Sequence, residues 1–129
     1  MKKKTTSQLK KELDKWFSLY IRNKFSKNGK CVCYTCGALK DIKQIQNGHF
    51  VSRSYLATRF DEDNCRPQCV GCNLFGGGKP FEFEERLKKE LGEKKVEEMK
   101  RRRNDITKYF PYEQEIERYK KLVSELSTV

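Results

Sequence analysis

The chain has 129 residues, of which 36% are hydrophobic and 36% are charged, a composition that fits one domain with a small core. Lysine and arginine number 29 against 18 aspartate and glutamate, and the net charge of +11 favours a polyanionic partner such as DNA. No apolar run is long enough to cross a membrane, and no apolar segment follows the basic start. These features exclude a membrane-spanning class and a secretory signal, so we expect a cytoplasmic location.

Residues 1–28 form the first predicted segment, a basic tail followed by an amphipathic helix. Thr5, Thr6 and Ser7 offer side-chain oxygens that could cap the start of this helix. Apolar residues then recur at helical spacing: Leu9, Leu13, Trp16, Phe17, Tyr20, Ile21 and Phe25. We interpret this stripe as a face packed on the core rather than as a ligand site.

Two Cys-x-x-Cys pairs follow, Cys33/Cys36 and Cys69/Cys72, each with the spacing of tetrahedral zinc ligands. Thiols stay reduced inside cells, so six cysteines in such a chain indicate metal binding rather than disulfides. We therefore predict a closed, structural four-cysteine zinc site that compensates for the small hydrophobic core. The two remaining cysteines, at positions 31 and 65, could compete as ligands, but buried small residues or free thiols is the favoured interpretation.

The only histidine, His49, lies between the two cysteine pairs in a strand-like piece from Ile45 to Val51. A lone histidine in such a setting is usually a packed side chain. Here a single zinc site would fix both ends of the segment that holds it, which favours a preorganised general base. Asn64 is by default a turn residue, and its amide could instead hold the histidine loop in place. Asn73 is by default an N-cap, and its oxygen is also a suitable ligand for Mg²⁺ or Mn²⁺.

Arginines supply the candidate DNA contacts, because a planar guanidinium binds phosphate through two hydrogen bonds. Three of them lie between the cysteine pairs and three form a run near a predicted helix end: Arg53, Arg59, Arg66, Arg101, Arg102 and Arg103. We predict that all six bind DNA.

Residues 80–129 are predicted to form a helical arm that binds DNA or dimerises, joined to the core by a flexible run of three glycines at 76–78. The predicted helices span 81–91 and 93–103, and a last helix begins at Pro111. The apolar stripe of that last helix could form a homodimer face or fold back on the core.

The ordered set CYTCG, GHFVSR, TRFDEDN and QCVGCN resembles the NinG (Rap) family of phage recombination proteins. It also resembles the HNH, or ββα-metal, nuclease superfamily, and its layout is similar to that of phage recombination endonuclease VII. The resemblance implies an α+β fold, in which a small zinc-stapled ββα-metal core at 29–79 is flanked by an N-terminal helix and C-terminal helices.

This resemblance further implies a metal-dependent DNA endonuclease that works inside the bacterial host cell on branched DNA such as Holliday junctions or D-loops. His49 would be the general base, Asn64 the orienting residue and Asn73 a ligand of the catalytic Mg²⁺ or Mn²⁺. The four paired cysteines would hold the structural zinc.

One position departs from that pattern, because many HNH enzymes carry a metal-binding aspartate immediately before the histidine and this chain has Gly48. Asp41, Asn47 and Asp61 are candidates for the second metal ligand. Two alternative functions stay open: a zinc-stapled DNA-binding module in which the histidine is only structural, and an HNH endonuclease without branch preference. Junction enzymes usually cut two opposed strands as dimers, so a homodimer is possible.

Overall fold

In the computed structural model, which describes residues 3–127, helices at both ends of the chain enclose a central region of short strands. The helices are α1 (Thr6–Lys24), α2 (Leu56–Arg59), α3 (Pro80–Leu91), α4 (Glu93–Arg102) and α5 (Tyr112–Ser127). The strands are β1 (Ser26–Lys27), β2 (Lys30–Val32), β3 (Leu39–Asp41), β4 (Ile45–His49) and β5 (Cys65–Cys69). The predicted mixed α+β class is confirmed. Part of the predicted basic tail, Met1 and Lys2, lies outside the described residues.

The first helix begins where a capping box is available. The Thr5 hydroxyl accepts a hydrogen bond from the Gln8 backbone N–H at 3.1 Å, and the Gln8 side chain accepts one from the Thr5 N–H at 2.9 Å. These two bonds satisfy backbone donors that a helix start leaves open. The apolar stripe of α1 faces inward as predicted, with Leu13, Phe17 and Ile21 fully buried.

Two small antiparallel sheets form the central region. The first has the order β1–β2–β3, and the second consists of β4 and β5 alone. In the second sheet Ile45 lies opposite Cys69, and His49 lies opposite Cys65. The sequence prediction missed β5 because all five of its residues are buried and a proline interrupts it, so no polar–apolar alternation marks it.

Over the described part of the chain, the interior is divided into three small apolar clusters rather than one large core. One joins α1, α5 and Cys65, a second consists of Ile45 and the buried cysteines of the central region, and a third holds Val51 against α3 and α4. This division agrees with the small core expected from composition.

Residues of the predicted helical arm pack against the rest of the chain. Helix α5 lies on α1, where the ring of Tyr119 meets that of Phe17 edge to face at a centroid distance of 5.1 Å. Its hydroxyl donates a hydrogen bond to Glu62 at 3.0 Å. The apolar stripe of α5 is therefore covered within the same chain, and the roles of the segment in DNA binding or dimerisation stay predictions.

The glycine run at 76–78 is a hydrogen-bonded turn rather than the free joint that its composition suggests. The Gly76 N–H donates to the Gly71 carbonyl at 2.8 Å, and the Gly78 N–H donates to the Cys72 carbonyl at 2.9 Å. Gly78 adopts φ +85°, a left-handed conformation that favours glycine. No helix of the described chain is both long and apolar enough to span a membrane.

The packing of α5 on α1 generates a stability prediction. Ile116 is 4% exposed in the cluster between the two helices, so Ile116→Ala should lower the free energy of unfolding by about 2–5 kcal/mol in chemical denaturation. Glu117, whose side chain is 75% exposed, is the matched control, and Glu117→Ala should change that free energy by less than about 0.5 kcal/mol. Equal effects of the two substitutions would show that α5 does not pack on α1 in solution.

Candidate functional site

The four cysteines of the two pairs meet at one point in space. Cys33 and Cys36 lie in the loop after β2, whereas Cys69 ends β5 and Cys72 lies in the following helical turn, Gly71–Phe75. Their sulfur atoms all lie within 4.8 Å of one another, and those of Cys36 and Cys69 are 3.8 Å apart. A zinc ion with bonds of about 2.3 Å to four thiolates separates them by about 3.8 Å. The cluster could therefore hold one structural zinc.

Electrostatics favour a cation among these sulfurs. Burial would raise the pKa of the Cys33 thiol, but backbone N–H groups from Cys69 and Cys36 lower it to about 6. Burial and the neighbouring sulfurs raise the pKa of Cys72 to about 12. Without a cation, a thiolate at Cys33 therefore opposes ionisation of the neighbouring Cys72 thiol.

The two other cysteines lie outside this cluster of four. Cys31 is 1% exposed beside it, and burial raises the pKa of its thiol. Cys65 is fully buried in the cluster between α1 and α5, where burial raises its thiol pKa well above the ordinary value. Both are buried free thiols, as predicted.

His49 ends β4 with its ring fixed by one hydrogen bond. Its Nε2 lies 2.9 Å from the backbone carbonyl oxygen of Arg59. Because a carbonyl can only accept, Nε2 carries the hydrogen and Nδ1 is the basic nitrogen of the neutral ring. Burial, followed by the charges of Arg53 and Arg59, lowers the pKa of His49 below 6.5 and outweighs the effect of the hydrogen bond. The imidazole is therefore neutral near pH 7.

Asn64 connects the two ends of the loop that follows His49. It is fully buried, and its Oδ1 accepts a hydrogen bond from the Val51 N–H at 2.7 Å. Its Nδ2 donates to the carbonyls of Val51 and Thr58 at 3.0 and 3.1 Å. This side chain thus ties together the loop whose Arg59 carbonyl contacts the His49 ring. Its orienting role in catalysis stays a prediction.

Asn73 lies in the helical turn after β5 and borders the same groove as His49. Its Nδ2 donates to Gln46 Oε1 at 2.8 Å, and no donor among residues 3–127 bonds to its Oδ1. The groove has a volume of about 800 Å³, and its wall includes α1, β4 and the glycine turn. Residues from both faces of β4 line the groove. The groove therefore crosses the edge of β4 that is not paired with β5.

The six predicted DNA-binding arginines occupy different environments. Arg53 borders the groove with its side chain 64% exposed, and Arg103 lies in an adjoining depression. Arg101 and Arg102 are exposed outside the groove, and Arg102 pairs with Asp61 at 2.8 Å.

Two of the six are held inside the fold. Arg59 donates from Nε to Asp14 at 3.1 Å with its side chain 11% exposed. Arg66 is 5% exposed, pairs with Glu90 at 2.6 Å and donates to the Glu62 carbonyl at 2.7 Å. Their guanidinium groups are occupied, so the structure gives these two arginines a structural role in place of the predicted phosphate contact.

Several residues of the site lacked a sequence signal. Asp14, Ser18 and Arg22 reach the groove from α1, and only the cationic character of Arg22 could have suggested contact with phosphate. Gln46 and Gln68 lie opposite each other on β4 and β5. Their pairing depends on β5, which no sequence pattern marks.

If the four-cysteine cluster binds zinc, substituting a cysteine inside the cluster should lower the zinc content, and substituting one outside it should not. The purified chain should contain one zinc per molecule by atomic emission, and Cys69→Ser should lose it because three thiolates form an incomplete site. Chelation should unfold the chain, since the cluster holds the central sheets together. Cys65→Ala is the matched control and should keep its zinc, and a Cys69→Ser protein with full zinc content would contradict the assignment.

Comparison with known proteins identifies a family. A family model described as Bacteriophage Lambda NinG protein matches residues 1–128. Neither the curated proteins nor the solved structures contain a match to the chain. Because the family model covers almost the whole sequence, the chain belongs to the family of the bacteriophage lambda NinG protein.

Proposed function

We propose that this protein is a metal-dependent DNA endonuclease of phage recombination, with an HNH-type site built on β4, β5 and the turn that follows. It hydrolyses phosphodiesters in branched DNA such as Holliday junctions or D-loops, inside the bacterial host cell. Membership of the phage family and the net charge of +11 support a DNA partner.

The observation that carries the proposal is the state of His49. Its Nε2–H is bound by the Arg59 carbonyl at 2.9 Å, which leaves Nδ1 as the basic nitrogen on a residue that borders the groove. A neutral, oriented imidazole is what a general base for water requires. A histidine that served only packing would not need a fixed tautomer beside an open groove.

The surrounding loop supports the same role. Asn64 makes three hydrogen bonds that hold Val51 and Thr58, close to the carbonyl that orients the ring. Positioning of this kind supplies much of the benefit of general-base catalysis, because the reacting groups need no reorganisation. Nδ1 of His49 takes a proton from water as the water attacks phosphorus, and Arg53 at the groove rim binds the phosphate.

The proposed divalent ion would lie beside Asn73. Its Oδ1 accepts no hydrogen bond from the described residues and belongs to a class of hard oxygen ligands that Mg²⁺ and Mn²⁺ prefer. When bound, such an ion would stabilise the negative charge on the departing 3′ oxygen. A zinc ion in the four-cysteine cluster would fix Asn73 through the adjacent Cys72.

Cleavage assays test the proposal. Wild-type protein should cut a four-way junction in the presence of Mg²⁺ or Mn²⁺ and should cut a linear duplex of the same sequence more slowly. His49→Ala should cut about 10²–10⁴-fold more slowly, the usual contribution of a general base. Glu117→Ala, remote from the groove, is the control and should cut like wild type.

Each result has a distinct consequence. If no substrate is cut, the enzyme proposal fails and the alternative of a DNA-binding module remains. If both substrates are cut equally, only the branch preference fails. His49→Ala protein that retains its zinc and cuts as fast as wild type would remove the general-base assignment.

The pH dependence follows from the lowered pKa of His49. The base acts in its neutral form, which persists until the pH falls below that pKa. The acid limb of the kcat/KM profile should therefore lie below pH 6.5, the ordinary value for the ring. Arg53→Ala removes one of the charges that depress the pKa, so its acid limb should move upward. An acid limb above pH 6.5 in the wild-type profile would contradict the environment described for His49.

A further inference from the structure

Gly48 precedes His49 and has no side chain, yet the space that a side chain would take is filled. A Cβ atom on Gly48 would lie 2.0 Å from Oε1 of Gln68 and 2.6 Å from its Cδ. Contacts below 3.0 Å are not tolerated, so any other residue at position 48 would displace the Gln68 amide. The carbonyl oxygen of Gln68 therefore occupies the place from which a residue-48 side chain would begin.

The orientation of the Gln68 amide is fixed by its nitrogen. Nε2 donates to the Gly78 carbonyl at 2.9 Å and to the Thr35 hydroxyl at 3.1 Å. Because a carbonyl accepts only, the amide cannot be turned the other way. Oε1 is consequently held toward Gly48.

This oxygen is buried without a hydrogen-bond donor. Gln68 is 0% exposed, and among residues 3–127 no donor reaches its Oε1. Leaving a buried acceptor unsatisfied lowers stability, and folded proteins rarely do so without a bound ion, a water or a function. The oxygen is therefore a candidate ligand atom.

Gln68 shares a face of the sheet with the groove residue that contacts Asn73. Side chains alternate along a strand, and residues directly opposite each other on paired strands share a face. Gln68 lies opposite Gln46, which accepts a hydrogen bond from Asn73 Nδ2 at 2.8 Å. The Gln68 and Asn73 oxygens without donors thus belong to one side of the β4–β5 sheet.

The three residues that the sequence offered as the second metal ligand are in poorer positions than Gln68 to bind an ion beside Asn73. Asp41 Oδ1 accepts a hydrogen bond from the Lys43 N–H at 3.0 Å and caps the turn before β4. Asp61 caps a second turn and pairs with Arg102. Asn47 also has a buried oxygen without a donor, but strand alternation puts it on the opposite face, with His49.

We propose that Gln68 Oε1 is the second protein ligand of the divalent ion held by Asn73. Position 48 must then be glycine, because the Gln68 amide occupies the space that a residue-48 side chain would need. This inference rests on the proposed function, which supplies the assumption that Asn73 binds a catalytic divalent ion. Both ligands are neutral amides, so the protein alone binds the ion weakly, and a phosphate of DNA completes the coordination.

Metal binding by the zinc-loaded full chain tests this inference without any cleavage assay. Free Mn²⁺ is followed by its electron paramagnetic resonance signal, and zinc content is measured for every variant. Gln68→Leu should weaken Mn²⁺ binding at least tenfold because it keeps the bulk and removes the oxygen. Gln68→Glu should tighten binding by a similar factor because it supplies a carboxylate. Asn47→Ala, which removes the buried oxygen on the other face, is the control and should bind like wild type.

A double substitution at positions 48 and 68 separates a role of Gln68 in metal binding from a role in packing alone. Gly48→Asp alone should weaken Mn²⁺ binding, since the new side chain displaces Gln68. Combined with Gln68→Ala, the same aspartate has room and should restore binding. If Gln68→Leu loses zinc, the glutamate variant and this double variant decide the question.

The outcomes distinguish this inference from the proposed function. Unchanged Mn²⁺ affinity in zinc-loaded Gln68→Leu protein, with cleavage still dependent on Mn²⁺, would overturn the ligand assignment alone. Absence of any Mn²⁺ binding to the wild-type chain, with and without junction DNA, would overturn both.

Discussion

The pairing of β4 with β5 is the contact on which the rest of the site depends. Each strand alone carries little chemistry, but their antiparallel register places His49 beside Cys65, Gly48 beside Arg66 and Gln46 beside Gln68. An isolated two-stranded sheet is marginally stable in water. Here the first strand begins and the second ends at the four-cysteine cluster, since Ile45 lies opposite Cys69. A metal at that cluster would hold the register at one end.

Internal ion pairs hold the other end of this sheet to the helices. Arg59 connects the loop after β4 to Asp14 of α1, and Arg66 connects β5 to Glu90 of α3. The guanidinium of Arg66 also lies 5.4 Å from the ring of Phe25 and 5.6 Å from that of Tyr34. Pairs in which the arginine is buried gain little net stability, because desolvation offsets attraction, but they fix geometry. Part of the large positive charge is thus used for orientation inside the fold.

Sequence reasoning succeeded where a pattern is local. Helical spacing and capping residues predicted α3 and α4 to within about a residue and predicted the buried face of α1. The Cys-x-x-Cys spacing predicted which four thiols meet. The buried environment of Cys31 and Cys65 also agrees with the prediction.

It failed where the answer depends on tertiary pairing. Residues 59 and 66 look like free phosphate-binding arginines until Asp14 and Glu90, distant in the sequence, are placed beside them. Gln68 carries no motif at all, and its relation to Gly48 exists only through the register of β4 and β5. Such contacts between distant segments leave no local period in the sequence.

The edge of β4 divides the proposed chemistry between its two faces. On the face toward α1, burial and nearby arginines keep His49 neutral and able to accept a proton. On the other face lie the neutral amides of Gln46 and Gln68, and Asn73 contacts the first of them. Since the groove crosses the strand edge between these faces, one phosphodiester lying along it could meet the base on one side and the ion on the other. A glycine at position 48 suits this arrangement, because it lets the proposed ligand oxygen come from the neighbouring strand while the edge itself stays narrow.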